Sequence, residues 1–108
     1  TFIASGYAMA VAPSKGVENP TIVAAKVANE LLDLSGIRAS FVLVDYDGKI
    51  YISARSNGKV NVQLIMERMG GGGHMNMAGA QLKGETAGEA ERKLRLTVKK
   101  MMEEGIIE

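Results

Sequence analysis

Apolar and polar positions along this chain change their period several times, and each change predicts an element. Phe2 to Val11 is apolar with small residues interspersed, Gly6 among them, which predicts a strand or extended segment broken by Pro13, Ser14 and Gly16. A helical period follows. Val23, Val27, Leu31 and Leu34 form one stripe, with Asn19 placed to cap, Pro20 at the first helical position and Gly36 as a left-handed stop. Phe41 to Val44 is a continuous apolar run, the pattern of a strand buried on both faces. Asp47-Gly48 then marks a tight hairpin into an alternating segment, Lys49 to Arg55. Ile50, Ile52 and Ala54 share one side of it, and Lys49, Tyr51, Ser53 and Arg55 share the other.

Beyond Asn57-Gly58, Asn61 is placed to cap a short helix carrying Val62, Leu64, Ile65 and Met69, and four glycines stand at its end. Ala78 to Leu82 predicts another short strand. Thr86-Ala87-Gly88-Glu89 fits a capping box, opening a last helix with Ala90, Leu94, Val98 and Met101 on its apolar face and Gly105 after it. The alternation of periods predicts an α/β fold: a single domain, residues 1–108, with a mixed sheet of about four or five strands packed with helices.

Composition narrows the function classes. With 108 residues, 46% of them hydrophobic and 23% charged, the chain is long enough for one core and too short for two. Thirteen Lys plus Arg against twelve Asp plus Glu leave a net charge of +1, so no broad field draws in polyanions. There is no cysteine, which excludes disulfides and thiolate metal sites and fits a cytoplasmic setting. Apolar runs fall short of the roughly 18 residues that a membrane span needs, so no direct membrane contact is expected. The chain opens on Thr1 with an element-like segment already under way, and it is expected to be a piece of a longer protein.

One glycine would have ended the short helix; Gly70 to Gly73 supply four, directly before His74, the only histidine. Successive glycines reach positive φ freely and let backbone amides converge on an anion, so the run reads as a phosphate cradle or, equally on its own, as a flexible hinge. A hinge is least expected between apolar segments of a compact domain. The run is no P-loop, because no Gly-Lys-Ser/Thr follows, and it lacks the third glycine of the dinucleotide fingerprint. An imidazole emerging from such a loop can donate to a phosphate oxygen, although a lone histidine is more often structural and cannot build a metal site by itself. Met66, Met69, Met75 and Met77 read as adaptable core filler.

Arg55-Ser56 after a strand, Asn61 opening a short helix, Gly71-Gly72-Gly73-His74 and then Ala78-Gly79 resemble the DHH-associated domain of DHH phosphoesterases, the family of RecJ exonucleases and oligoribonuclease-type enzymes. The resemblance covers nearly the whole chain. The longer string from Gly70 to Gln81 is most similar to the branch of membrane-bound cyclic-di-AMP phosphodiesterases. It implies a division of labour, in which an upstream DHH domain holds two manganese ions while the associated domain grips substrate phosphate across a cleft. It implies phosphate contacts for Arg55 and Ser56 and the loop role for Gly71, Gly72, Gly73 and His74. Asn76 would read a base edge or brace a turn; Asn61 fits a helix cap equally well. No Asp-His-His triplet occurs, so this piece alone is expected to be inactive, with His74 and Arg55 supporting catalysis and no metal ligand of its own. The implied partners are a cyclic dinucleotide or short oligonucleotide and the DHH domain, in a parent anchored in the bacterial cell membrane with this domain on the cytoplasmic side.

Two other functions compete. A related domain resembles the C-terminal module of alanyl-tRNA synthetases, so a single-stranded nucleic-acid-binding module is one; the near-zero charge and five aromatic residues speak against a stacking groove. The other is a dimerisation module, a homodimer in which Tyr51 and the methionines form the partner surface.

Overall fold

The computed structural model describes all residues, 1–108. The elements run β1 (Phe2–Ala4), β2 (Tyr7–Ala12), α1 (Pro20–Leu32), β3 (Ala39–Tyr46), β4 (Lys49–Ser56), α2 (Val62–Arg68), β5 (Gly72–His74), β6 (Met77–Lys83) and α3 (Ala87–Glu103). They form one mixed sheet of six strands, not four or five, in the order β1-β2-β3-β4-β6-β5. Only β2 and β3 run parallel, joined by the α1 crossover; every other pair is antiparallel.

The two extra strands have separate causes. The first apolar segment is a hairpin, because Gly6 turns with φ 77° and its carbonyl accepts from the Arg38 and Ala39 amides at 2.7 and 3.1 Å. A Cβ there would lie 2.9 Å from Arg38 Nε. The second is β5, formed by part of the glycine run.

Local signals act largely as expected in the middle and at the end of the chain. Asp47 and Gly48 both take positive φ, the geometry of a two-residue hairpin turn. Asn61 Oδ1 accepts from the Gln63 and Leu64 amides, and the Thr86–Glu89 capping box is complete. Helix α1 departs from expectation at both ends. Asn19 is left-handed with φ 52° and caps with no side-chain hydrogen bond; the helix stops at Leu32, leaving Leu34 outside it and exposed, with Gly36 further on. The buried line of α1 is Ala24 and Ala28, flanked by Val27 and Leu31.

Two layers of unequal weight cover the sheet. On one face Phe41, Leu43, Ile50, Ile52, Ala78, Ala80 and Leu82 meet α2 and α3 through Val62, Ile65, Met66, Leu94, Val98 and Met101 in a continuous core. On the other, Val42 and Val44 meet Ala24 and Ala28 of α1, with Ala12, Val27, Leu31 and Tyr51 packed around them. Leu64 lies outside the α2 contact line and is partly exposed, its expected place taken by Met66. Met69 is also buried, whereas Met75 and Met77 are exposed and are not core filler.

Candidate functional site

The glycine run is ordered backbone rather than a free loop. Gly70 follows the C-cap Met69 with φ 85°, the left-handed stop of α2, and the Gly71 amide donates to Met66 O at 2.8 Å. Gly72 to His74 then pair with β6 as the edge strand, in the register Gly72↔Gly79, Gly73↔Ala78 and His74↔Met77. Close approach explains two more glycines: a Cβ on Gly71 would lie 2.0 Å from Gly79 O, and one on Gly73, whose φ is 144°, would lie 2.5 Å from Ala78 Cα. Gly72 is different. A Cβ there would meet nothing within 4 Å, and its φ lies outside the left-handed region.

Register assigns the side chains to faces, because residues opposite one another in an antiparallel pair project to the same side. Arg55 lies opposite Met77, which lies opposite His74, so these three form one row across β4, β6 and β5 on the α1 face. Ser53, Gly79 and Gly72 form the next row, and Tyr51 with Gln81 the row after that. Successive rows are about 7 Å apart along the strands, and the Arg55 and His74 backbones are roughly 10 Å apart across β6. Helix α1 lies over β2, β3 and β4, leaving His74, Met77 and Gln81 exposed. A concavity of about 520 Å³ opens there, lined by Thr21 of α1, Tyr51 and Ser53 of β4, Gly79 and Gln81 of β6, and Gly70 with Gly71. Its floor is bare at Gly79, where a Cβ would press to 2.8 Å from Ile52 O.

Arg55 is not among the lining residues; it stands one row beyond Ser53 on the same face. Its Nε donates to Asn29 Oδ1 of α1 at 3.1 Å and its Nη1 to Ala54 O at 2.9 Å, while none of the three ion pairs of the chain includes it. Burial pulls the guanidinium below its ordinary value. A partly desolvated cation without a carboxylate favours an anionic ligand, since one would restore the charge compensation lost from water. His74 is exposed at the edge of the same row, on a strand with no neighbour beyond it.

The other anticipated residues are placed apart from the groove floor. Ser56 points to the opposite face and is buried, its hydroxyl accepting from the Gly58 and Val60 amides at 3.1 and 3.2 Å. It braces the turn after β4. Asn76 is exposed between β5 and β6, and its carbonyl accepts from the Ser56 amide at 3.0 Å. Asn61 is engaged as a cap. Asn29, Thr21 and Gln81 were not singled out by the sequence. Their signal is register and helix placement, which depend on which strand lies beside β4.

No group of three or more His, Cys, Asp or Glu side chains is placed to hold a metal ion, and no helix is long and apolar enough to cross a membrane. The residues of this chain therefore do not fit a metal centre. The groove has a floor bare at Gly79, and the Arg55 guanidinium and the His74 imidazole stand in the row next to that floor.

The chain is 50% identical over 99 residues to the cyclic-di-AMP phosphodiesterase GdpP of Geobacillus thermodenitrificans, covering 88% of this chain and 15% of that protein. It is 51% identical over 75 residues to the cyclic-di-AMP phosphodiesterase PdeA of Listeria monocytogenes, covering 68% and 11%. The chain thus spans less than a sixth of the length of these relatives. In fold it is similar to an exopolyphosphatase-related protein from Bacteroides fragilis, with a TM-score of 0.76 and 21% identity over 89% of this chain and 29% of that one. The pattern of the DHHA1 domain matches residues 6–104, and the chain belongs to the DHHA1 domain family.

Proposed function

We propose that this domain grips the phosphates of a cyclic dinucleotide within a longer DHH-type phosphodiesterase that hydrolyses cyclic-di-AMP to linear pApA. The observation that carries the reading is Arg55: a partly buried guanidinium with no carboxylate partner, in one row with His74 and next to the row of Ser53, Gly79 and Gly72, whose Ser53 and Gly79 line the groove. The identity to GdpP and PdeA supports the substrate. In this reading a phosphate over Gly79 and Gly72 receives the Arg55 fork from the α1 side and the His74 imidazole from the edge. Both donors favour charge on the phosphate oxygens as the diester is attacked, and both hold the dinucleotide in place. The manganese that the resemblance gives to an upstream DHH domain has no ligand set in this chain, whose part is binding and orientation. The parent is anchored in the membrane, with this domain on the cytoplasmic side.

The test is steady-state hydrolysis of cyclic-di-AMP by the complete protein. His74→Ala should cost about 2.7 to 4 kcal/mol of transition-state stabilisation, the range for one preorganised donor. Arg55→Lys keeps the charge and loses the planar fork, at about 1.5 to 3 kcal/mol in kcat/KM. Melting temperatures should stay near wild type in both. Wild-type kinetics in the two variants would sink the phosphate grip. Equal affinity for a generic oligonucleotide, with a steep salt dependence, would replace it with the single-strand reading.

A further inference from the structure

Beyond the phosphate row the groove continues to Tyr51, Gln81 and Thr21, residues that a phosphate grip does not require. Tyr51 and Gln81 are cross-strand partners on the α1 face, one row from the glycine floor and two rows, about 14 Å, from Arg55. The Tyr51 ring is half-buried. It packs against the Val42, Val44, Ala24 and Ala28 cluster and pairs with Tyr46 at a centroid distance of 6.2 Å and an interplanar angle of 47°. It is therefore oriented before any ligand arrives, and little entropy remains to be lost on binding. The hydrogen bonds of the structure leave the Tyr51 hydroxyl and the Gln81 carboxamide unengaged, and Gln81 is exposed.

We propose that Tyr51 and Gln81 form a nucleobase subsite that selects adenine, Tyr51 supplying an aromatic surface and Gln81 a paired donor and acceptor. This deepens the phosphate-gripping reading and rests on it. A nucleotide with its phosphate over Gly79 brings its base toward the Tyr51–Gln81 end, because the glycine floor leaves no side chain between them. A carboxamide presents one N–H donor beside one carbonyl acceptor, which matches the N7 acceptor and N6 donor of adenine. Guanine presents two acceptors, N7 and O6, on the same edge and would set one of them against the Gln81 carbonyl. Pyrimidines offer a smaller face to the ring. Thr21, at the start of α1, closes this end of the groove.

The experiment compares kcat/KM of the complete protein for cyclic-di-AMP and cyclic-di-GMP. Gln81→Ala should lower the adenine-to-guanine preference at least tenfold, with most of the change in KM for cyclic-di-AMP. Tyr51→Leu should weaken both substrates, and Tyr51→Phe should restore them. Gln81 is exposed, so its variant tests the subsite even if Tyr51→Leu fails to fold. An unchanged preference in Gln81→Ala, with cyclic-di-AMP still hydrolysed, overturns the subsite and leaves the phosphate grip standing. A wild-type protein that hydrolyses neither cyclic dinucleotide overturns the grip as well.

Discussion

On the α2–α3 side of the sheet twenty-one buried residues join in one core, whereas on the α1 side only four do, and that imbalance separates stability from binding. The first face is covered by α2 and α3, which between them reach from β1 to β5. The second is covered by α1 over β2, β3 and β4 and then left open. One sheet thus carries a packed surface and a groove back to back. Alternation along β4 keeps them apart, with Ile50, Ile52 and Ala54 on the core side and Tyr51, Ser53 and Arg55 on the groove side.

Breaking the filled face should cost most. Leu94 is fully buried in the core, so Leu94→Ala should lose about 2 to 5 kcal/mol of unfolding free energy in urea titrations. Nucleotide affinity per folded molecule should not change. An altered affinity in fully folded protein would show that the two faces are not separable.

The glycine run sharpens the comparison within four residues. Gly71→Ala places a methyl against the Gly79 carbonyl and should destabilise by about 1 to 3 kcal/mol, as overpacking does. Gly72→Ala meets open space on the groove face and should leave stability level or raise it by up to about 1 kcal/mol, by restricting the unfolded chain. Its methyl should nevertheless weaken nucleotide binding. Thermal melts and equilibrium binding on both variants give the answer, and Gly72→Ala with unchanged affinity would remove β5 from the ligand's path.

The smallest effects belong to α3, far from the groove. Thr86→Ala removes an N-cap and should cost about 1 kcal/mol. The Thr86 backbone amide, followed by its side chain, holds the Glu89 carboxyl below its ordinary value, so its folded value lies below its unfolded one. The stabilisation is present above the unfolded value and is lost as pH falls through the folded one. Glu89→Gln should therefore melt below wild type at neutral pH, and the gap should close in acid. A gap that is independent of pH would contradict this account of the cap.

The same contrast marks what the sequence could reveal. The β3–β4 hairpin, the Asn61 cap and α3 with its capping box were legible because their signals lie within a few residues of what they specify. Arg55 was legible as the polar end of an alternating strand. Gly6 was not legible as a hairpin, since its turn is held by amides of Arg38 and Ala39 more than thirty positions away. Asn19 looked like a side-chain cap and is left-handed instead. The glycine run suggested converging amides, yet two of its four members, Gly71 and Gly73, answer to the close passage of β6, which no local pattern contains. Thr21, Asn29 and Gln81 become neighbours of the groove only when the sheet order and the seat of α1 are known.

That seat depends on very small groups. Ala24 and Ala28 contribute only methyls between α1 and the sheet, and the buried Ser40 hydroxyl donates to Ala28 O at 2.6 Å, so the helix rests almost directly on Val42 and Val44. The methyls act as a shim of fixed thickness. They set how high Asn29 stands over Arg55 and how far Thr21 stands from Gln81, and so they gauge the width of the opening without touching anything inside it.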